Sequence, residues 1–311
     1  MKVVLLAGGT GGAKLAHGFQ QVLPPGDLTV IVNVGDDTER FGLLVCPDLD
    51  TILSTLAGLA DPQQGWGVAD DTYTALEMLE RLGEEAWFRI GDADLAVHVH
   101  RNRLLHEGRS LTDVTAAMAS ALGVPSHLVP ATDDRLRTRV GIDGEELEFQ
   151  DYFVRRRQAD EVRSLRVAGA EAARPSPPAL RALEEAELVV IGPSNPLVSI
   201  GPILAVPGLR EAVAEAPGTR LGVSGIVAGQ AIRGPADRML ASLGHEVSAR
   251  GVARIYAGMV ERFVIDQADA ELAPSIEELG MEVSVLPTVM RDDAGRAGLA
   301  RALLALATAT G

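Results

Sequence analysis

Cysteine is nearly absent from this chain: its 311 residues include one, Cys46. A single thiol excludes an intramolecular disulfide and fits a reducing compartment, so we expect Cys46 to be a small buried residue. Long hydrophobic runs are missing as well. None approaches the ~20 apolar residues that cross a bilayer, and the amino terminus lacks the apolar segment of an export signal. These absences predict a cytoplasmic protein that has no membrane partner.

Positive charge is also scarce. Lysine and arginine number 28 against 43 aspartates and glutamates, which gives a net charge of −15. Nucleic acids would repel such a chain unless basic residues were concentrated in one patch, so the composition argues against nucleic-acid binding. The one basic run, at 154–157, is either the solvated end of a strand or a contact for an anionic ligand.

The chain does contain an alternation of apolar strands and helical periods. A first strand–helix–strand unit is predicted at 3–7, 12–22 and 28–34. A second zone has its predicted elements at 187–192, 201–214, 221–224 and 235–243, with an extended segment at 252–256. Such units imply parallel strands with right-handed crossovers. The expected fold class is therefore α/β, with a Rossmann-like, doubly wound and mainly parallel sheet.

The segment between the two zones, from about 51 to 180, has a different pattern. Helices are predicted at 51–59, 71–82, 92–106 and 111–122, then a β hairpin at 137–150 that turns at Asp143-Gly144, a strand at 162–167 and a helix at 178–186. A last helix is predicted at 297–309. We expect a single α/β domain over 1–311, with a nucleotide-binding core from 1–50 and 187–311. The middle segment is then a largely helical insertion with a small β hairpin region.

The first strand ends in a glycine cluster, Gly8-Gly9-Thr10-Gly11-Gly12, and Lys14 follows. Glycines permit a tight turn and a close approach to a ligand, and the next helix offers free N–H groups and a positive dipole. This order predicts a phosphate or diphosphate site. The spacing matches neither the dinucleotide fingerprint nor the P-loop. The alternative interpretation is a strand-to-helix turn that merely needs glycine.

Four acidic residues follow the second strand and open the next helix. Asp36 and Asp37 come after Asn33 and Gly35, and Asp48 and Asp50 come shortly afterwards. Ligands of open parallel sheets bind outside the strand ends, so these carboxylates are candidates for a magnesium site or a general base. Asp48 has an equally good alternative as a helix N-cap, and Asp50 also favours the positive end of a helix.

A polar cluster follows the strand at 187–192 and contains Ser194, Asn195 and Ser199 among prolines. Its amides and side chains are expected to form a second cradle for an anion or a nucleobase. The alternative is a proline-rich connection capped by Ser199.

Arg89 follows two aromatic residues, Trp87 and Phe88. Its guanidinium is suited to stack on a flat ring or to clamp a phosphate or carboxylate, and the alternative is pairing with Asp92 or Asp94. Three histidines, at 98, 100 and 106, have poor spacing for metal ligands on one helix face and are expected at the surface. No serine elbow or cysteine nucleophile is evident, so covalent hydrolase chemistry has little support.

Taken in order, these motifs resemble the 2-phospho-L-lactate transferases, and the resemblance extends over essentially the whole chain. It rests on Leu-Ala-Gly-Gly-Thr-Gly-Gly-Ala-Lys at 6–14, Asn-Val-Gly-Asp-Asp at 33–37, Cys-Pro-Asp-Leu-Asp-Thr at 46–51, Trp-Phe-Arg-Ile-Gly-Asp at 87–92 and Ile-Gly-Pro-Ser-Asn-Pro-Leu-Val-Ser-Ile-Gly-Pro-Ile-Leu at 191–204.

The resemblance implies a role in the synthesis of the deazaflavin coenzyme F(420). The family transfers a phospho-lactyl or phospho-enolpyruvyl group from a guanosine-diphosphate ester of a three-carbon acid to the terminal ribityl hydroxyl of the deazaflavin Fo, and GMP leaves. Magnesium is expected as the cofactor and a homodimer as the assembly.

The resemblance and the motifs together give four sets of candidate residues. The catalytic candidates are Asp50, Asp37 and Asp48, and the metal candidates are Asp36 and Asp50. The deazaflavin candidates are Asp50, Arg89 and Trp87. The nucleotide and phosphate candidates are Gly9, Thr10, Gly11, Gly12, Lys14, Asn33, Gly35, Ser194, Asn195 and Ser199.

Two other functions are compatible with parts of the sequence. A regulatory nucleotide-sugar-binding protein of the gluconeogenesis-factor type shares the opening glycine turn, and it would bind a nucleotide without consuming Fo. An NAD-dependent oxidoreductase is suggested only by the fold. The glycine spacing and the lack of a clear ribose-binding acid after the second strand argue against it.

Overall fold

A seven-stranded parallel sheet lies at the centre of the computed structural model, which describes residues 1–308. In chain order the strands of the molecule are β1 (Val3–Ala7), β2 (Leu28–Val32), β3 (Thr38–Arg40), β4 (Leu43–Val45), β5 (His127–Pro130), β6 (Arg137–Ile142), β7 (Glu145–Glu148), β8 (Ser164–Ala168), β9 (Leu188–Ile191), β10 (Thr219–Val223), β11 (Ile226–Val227), β12 (Gln230–Ala231), β13 (Arg262–Asp266) and β14 (Glu282–Leu286). The central sheet has the order β14-β13-β10-β9-β1-β2-β5.

The two strands at the middle of this sheet, β1 and β9, consist entirely of buried residues. Such continuous apolar runs are typical of parallel strands that are covered on both faces. Leu5 of β1 pairs with Val30 of β2 on one side and with Val190 of β9 on the other. The later strands extend outward from this pair in both directions, so the topological switch point lies between β1 and β9.

Twelve α-helices accompany the strands in the described part of the chain. They are α1 (Gly9–Val22), α2 (Pro47–Leu56), α3 (Thr74–Arg81), α4 (Asp92–His106), α5 (Leu111–Ala121), α6 (Pro177–Glu184), α7 (Gly201–Ala205), α8 (Leu209–Ala214), α9 (Ala236–Ser242), α10 (Ala249–Tyr256), α11 (Ala273–Glu277) and α12 (Asp293–Thr308). Short π-helical turns occur at Asp151–Arg155 and Pro196–Ile200, and 3₁₀ turns at Ala170–Ala172 and Gln267–Leu272. None of the helices described between residues 1 and 308 is long and apolar enough to cross a membrane.

The α/β class and the parallel sheet are confirmed, and most predicted elements are found within a few residues of their expected bounds. The prediction of an extended segment at 252–256 is wrong, because these residues belong to helix α10. The helix expected at 201–214 is divided into α7 and α8, since Gly208 adopts a positive φ of 90° between them. The strands β13 and β14 were not predicted. Residue 309, the end of the last predicted helix, lies outside the described residues.

The middle segment is more closely joined to the core than expected. Its strand β5 pairs with β2 and forms one edge of the central sheet, so 51–180 is not entirely an insertion. The predicted hairpin is confirmed as β6 and β7, and β8 adds to it in antiparallel fashion. The basic run at 154–157 begins in a π-helical turn rather than at a strand end, and its Arg155 and Arg156 form ion pairs at the surface.

The surroundings of two helical glycines, Gly18 and Gly298, predict that substitution by alanine changes the stability of the fold in opposite directions. A Cβ atom on Gly18 of α1 would lie 2.3 Å from the carbonyl oxygen of Arg296 in α12, whereas one on Gly298 would meet nothing within 4 Å. We expect Gly18→Ala to lower the free energy of unfolding by about 1–3 kcal/mol through overpacking. Gly298→Ala should raise the free energy of unfolding by about 0.5–1 kcal/mol, because alanine has a higher helix propensity than glycine. Urea unfolding measures both, and equal effects would contradict this packing of α1 against α12.

Candidate active site

A cleft of about 610 Å³ opens at the carboxyl ends of β1 and β9. It is bounded by the loop after β1, by the loop after β9, by α2 and by the aromatic segment at 87–89. Because the cleft lies at the topological switch point, it is where an open α/β sheet binds its ligand. Of the candidate residues, the cleft lining includes Gly9, Thr10, Gly11, Lys14, Asp36, Asp48, Asp50, Trp87, Arg89, Ser194, Asn195 and Ser199.

The glycine loop differs from a fully open anion site. Helix α1 already begins at Gly9, earlier than expected, and the N–H of Gly9 donates to Asp48 Oδ1 at 2.7 Å. The N–H of Gly8 donates to Ser194 Oγ at 3.2 Å, and that hydroxyl donates to the carbonyl oxygen of Gly8 at 2.8 Å. An α-helix leaves its first N–H groups without a partner inside the helix. The N–H groups of Thr10 and Gly11 are therefore the ones that remain for a ligand.

Two of the glycines serve close packing between the loops. A Cβ atom on Gly11 would lie 2.3 Å from the carbonyl oxygen of Pro193, and one on Gly12 would lie 2.7 Å from Ala7 Cβ and 2.8 Å from Ser194 Oγ. Gly9 has a positive φ of 62°, a conformation that favours glycine. The alternative interpretation of a turn that needs glycine is thus true of Gly11 and Gly12, and it is compatible with ligand binding on the outer side of the loop.

Asp36 and Asp48 lie side by side beneath this loop and are joined by Asn33. The Asn33 amide nitrogen donates to Asp36 Oδ1 at 3.2 Å and to Asp48 Oδ2 at 2.9 Å. Burial, followed by the charge of Asp48, raises the pKa of Asp36 well above its ordinary value. Burial also raises the pKa of Asp48 to about 6, against the hydrogen bonds from Asn33 and Gly9. Two adjacent buried carboxylates without a cation between them are unfavourable when both are ionised.

This pair is chemically suited to magnesium. Carboxylate oxygens are the ligands that magnesium prefers, and the ion is commonly held by one or two carboxylates together with phosphate and water. Within residues 1–308, no cluster of three or more His, Cys, Asp or Glu side chains is arranged to hold a metal ion. The metal ligands predicted from the sequence were Asp36 and Asp50. In the structure, Asp48 rather than Asp50 lies beside Asp36, and Asp50 forms an ion pair with Arg101.

Asp50 is neutralised by a buried guanidinium. Both of its oxygens accept hydrogen bonds from Arg101, which is 2% exposed, and its Oδ2 also accepts the N–H of Cys46 at 3.3 Å. Although burial alone disfavours the guanidinium, the Asp50 charge raises the pKa of Arg101 above its ordinary value. Arg101 was not recognised in the sequence. The available signal was the spacing of Asp94, His98 and Arg101, with steps of four and then three residues along one helix, because such positions share a face.

His98 is fully buried, so the expectation that it lies at the surface is wrong. Its Nδ1 lies 3.2 Å from Arg101 Nη1, and its Nε2 lies 3.7 Å from Asp94 Oδ2. Because a guanidinium can only donate, Nδ1 accepts and the ring proton is on Nε2. Asp50, Arg101, His98 and Asp94 thus form a chain of polar groups along the wall of the cleft, and all except Arg101 contribute to the lining.

The aromatic side of the cleft is formed by stacked cations and rings. Arg89 lies over the Tyr73 ring, 4.2 Å from its centroid, and Arg40 lies at the same distance from Trp87. The alternative pairing of Arg89 with Asp92 or Asp94 is not found, because Asp92 accepts hydrogen bonds from the segment 72–75. An arginine stacked on a ring presents a flat surface, which suits a planar heteroaromatic ligand.

The loop after β9 is held by Asn195 rather than by Ser199. Asn195 Oδ1 accepts the N–H of Leu197 at 2.9 Å and caps the π-helical turn that follows. The alternative interpretation, a connection capped by Ser199, is therefore wrong in its capping residue. Asp48 likewise does not cap its own helix α2, because its carboxylate caps α1.

Four candidates do not contribute to the cleft lining. Gly12, Asn33 and Gly35 lie beneath it, where Asn33 also accepts the N–H of Gly35 at 2.8 Å. Asp37 is buried, has an oxygen without a hydrogen-bond partner among the described residues, and lies outside the cleft. Burial raises the pKa of Asp37 to about 8.

Comparisons with known proteins give a family match over most of the chain and a match to a known fold. The family model of 2-phospho-L-lactate transferase CofD matches residues 3–290. A phosphoenolpyruvate transferase of Streptomyces griseus is 43% identical over 99% of this chain and 98% of its own length, and one of Thermobifida fusca is 41% identical with the same coverage. A solved structure from Bacillus halodurans has a TM-score of 0.62 at 16% identity, covering 97% of this chain and 99% of its own. That likeness shows the fold alone.

The burial of Asp37 predicts how stability depends on pH. Its pKa rises from about 3.8 to about 8 on folding, so the protonated carboxyl stabilises the fold fully below pH 3.8, and this contribution is lost as the pH rises to 8. In EDTA, the free energy of unfolding of the wild type relative to Asp37→Asn should fall by about 1 kcal/mol per pH unit between pH 5 and 8. Denaturant unfolding measures this difference.

The exposed Asp70 provides the matched control. Asp70→Asn should follow the wild-type profile. Parallel profiles for the wild type and Asp37→Asn would show that Asp37 is ionised in the folded protein and would contradict the burial found here.

Proposed function

The chain belongs to the 2-phospho-L-lactate transferase CofD family and is a transferase of a phosphate-containing group, and we propose that it forms the phosphodiester precursor of coenzyme F(420). The donor is a guanosine-diphosphate ester of enolpyruvate, and the acceptor is the terminal ribityl hydroxyl of Fo. Support for enolpyruvate over lactate comes from the relatives of about 40% identity, which are named phosphoenolpyruvate transferases.

The observation that carries this proposal is the division of the cleft into two chemically different ends. One end has the glycine loop, Lys14 and the carboxylate pair, and the other has the stacked Arg89. A diphosphate suits the first end and a flat deazaflavin the second. A protein that binds only a nucleotide has no need of the second end.

The bond changes follow from the chemistry of the substrates. The hydroxyl oxygen of Fo bonds to the phosphorus that carries the three-carbon acid, the phosphoanhydride bond to GMP breaks, and the hydroxyl proton is released. Phosphoryl transfer has a loose transition state, so positioning and charge stabilisation contribute most of the catalysis and a strong base is not required.

The roles of the side chains follow from their contacts. The N–H groups of Thr10 and Gly11 bind the diphosphate, with Lys14 as a nearby cation. Asp50 accepts a hydrogen bond from the attacking hydroxyl and orients it, and Arg101 holds its carboxylate in place. Arg89 and Trp87 hold the deazaflavin ring.

Asp36 and Asp48 would hold magnesium, with Asn33 fixing their positions. When bound, the ion neutralises the charge of the diphosphate. We infer that Asp48, rather than the Asp50 expected from the sequence, holds the metal together with Asp36.

Mass spectrometry of a reaction mixture tests the proposal. Purified protein with Fo, magnesium and the guanosine-diphosphate ester of enolpyruvate should yield GMP and the matching phosphodiester, and the lactate ester should react more slowly. Asp50→Asn is the control, which should still bind GDP and give no product. Nucleotide binding by the wild type without product would favour the regulatory nucleotide-sugar-binding protein instead.

Removal of the Arg89 side chain should weaken binding of Fo specifically. Loss of the stacked guanidinium costs about 1–2 kcal/mol, so Arg89→Ala should raise the KM for Fo by roughly 10-fold. The affinity for GDP should remain within about twofold of the wild type. Arg81→Ala, at an exposed arginine on α3, is the matched control. An unchanged KM for Fo in Arg89→Ala would remove Arg89 from the acceptor site.

A further inference from the structure

A compact loop lies over the glycine cluster at the mouth of the cleft. This entrance loop, residues 60–68, is closed at its base by a β-bridge between Ala60 and Val68. The Asp61 carboxylate accepts the N–H groups of Gln63 and Gln64, at 2.7 and 3.1 Å, and so fixes the first turn of the loop. The entrance loop is therefore a preformed unit, held by contacts within itself.

The tip of the entrance loop reaches the glycine cluster. Gly65 has a positive φ of 74°, and a Cβ atom placed on it would lie 3.4 Å from Thr10 Cγ2 and 3.0 Å from Arg233 Nη1. Thr10 belongs to the N-terminal turn of α1, where a free N–H remains for a ligand. The entrance loop and Arg233 thus meet directly above the proposed diphosphate site.

Arg233 joins the entrance loop to the opposite side of the cleft. Its Nη2 donates to the carbonyl oxygen of Gln63 at 2.8 Å, and its Nη1 donates to that of Gln64. Arg233 lies between β12 and α9, more than 160 residues away along the chain. Both the entrance loop and the segment around Arg233 line the cleft.

The surroundings of Arg233 carry an excess of positive charge. Lys14 is close enough that Arg233, after burial, helps to lower the pKa of the lysine ammonium. The Lys14 ammonium donates to the carbonyl oxygen of Met290 at 3.4 Å. Across residues 1–308, neither Lys14 nor Arg233 has a carboxylate within ion-pairing distance. Two cations beside free helix N–H groups create a site that an anion would stabilise.

We propose that Arg233 is a diphosphate-binding residue that couples nucleotide binding to closure of the entrance loop. This inference rests on the proposed function, because it takes the ligand to be a guanosine diphosphate. A guanidinium has five N–H donors, and the two backbone carbonyls use two of them. The others can bind a phosphate oxygen while the contacts with the entrance loop persist, so the bound anion holds the loop in place.

Calorimetry and amide hydrogen exchange with GDP and magnesium test this coupling. Loss of charge-assisted hydrogen bonds in Arg233→Gln should weaken GDP binding by about 10-fold or more. GDP should slow amide exchange at 60–68 in the wild type and leave it unchanged in the variant. Arg233→Lys should restore part of the affinity and little of the slowed exchange, because an ammonium lacks the planar fork.

Arg238→Gln is the matched control, since this exposed arginine of α9 donates to Gln158 instead. It should bind GDP and slow exchange like the wild type. Wild-type affinity in Arg233→Gln, or the same slowing of exchange at 60–68, would overturn the inference and leave the proposed function intact. Failure of the wild type to bind GDP would remove the nucleotide donor from the proposed function and this inference with it.

Discussion

The hydrogen bond from the N–H of Gly9 to Asp48 connects the elements on which the cleft depends. It joins the start of α1 to the first turn of α2, and the other Asp48 oxygen accepts from Asn33, which follows β2. A carboxylate at the positive end of a helix is favourable, but its burial beside Asp36 is not. The site therefore has a fixed geometry and an unbalanced negative charge, which is the combination that a divalent cation would stabilise.

Charge is balanced differently at each part of the cleft. Asp50 is matched by the buried Arg101, so its carboxylate keeps its position without any ligand. Among residues 1–308, no basic side chain lies within ion-pairing distance of Asp36 or Asp48, and no carboxylate lies within that distance of Lys14 or Arg233. A magnesium diphosphate would complete both sets, since it brings a cation to the carboxylates and anionic oxygens to the basic side chains.

The motifs that follow a strand were the most predictable parts of the site. The glycine loop after β1 and the polar cluster after β9 both lie at the cleft, because the carboxyl ends of adjacent parallel strands share one edge of a sheet. Arg101 and His98 were missed, since their partner Asp50 is about 50 residues away in sequence and only the packing of α4 near α2 brings them together. Strands β13 and β14 were also missed.

The sequence by itself determined the α/β class, the glycine turn and the order of the functional segments, because these follow from local periodicity and from backbone freedom. Only the tertiary structure decided which side chain each acid faces. Asp48 caps a helix other than its own, Asp50 is paired with Arg101, and Asp37 is buried outside the cleft. Hydrogen bonds and burial of this kind depend on contacts between residues distant in sequence, and local patterns do not specify which distant residues meet.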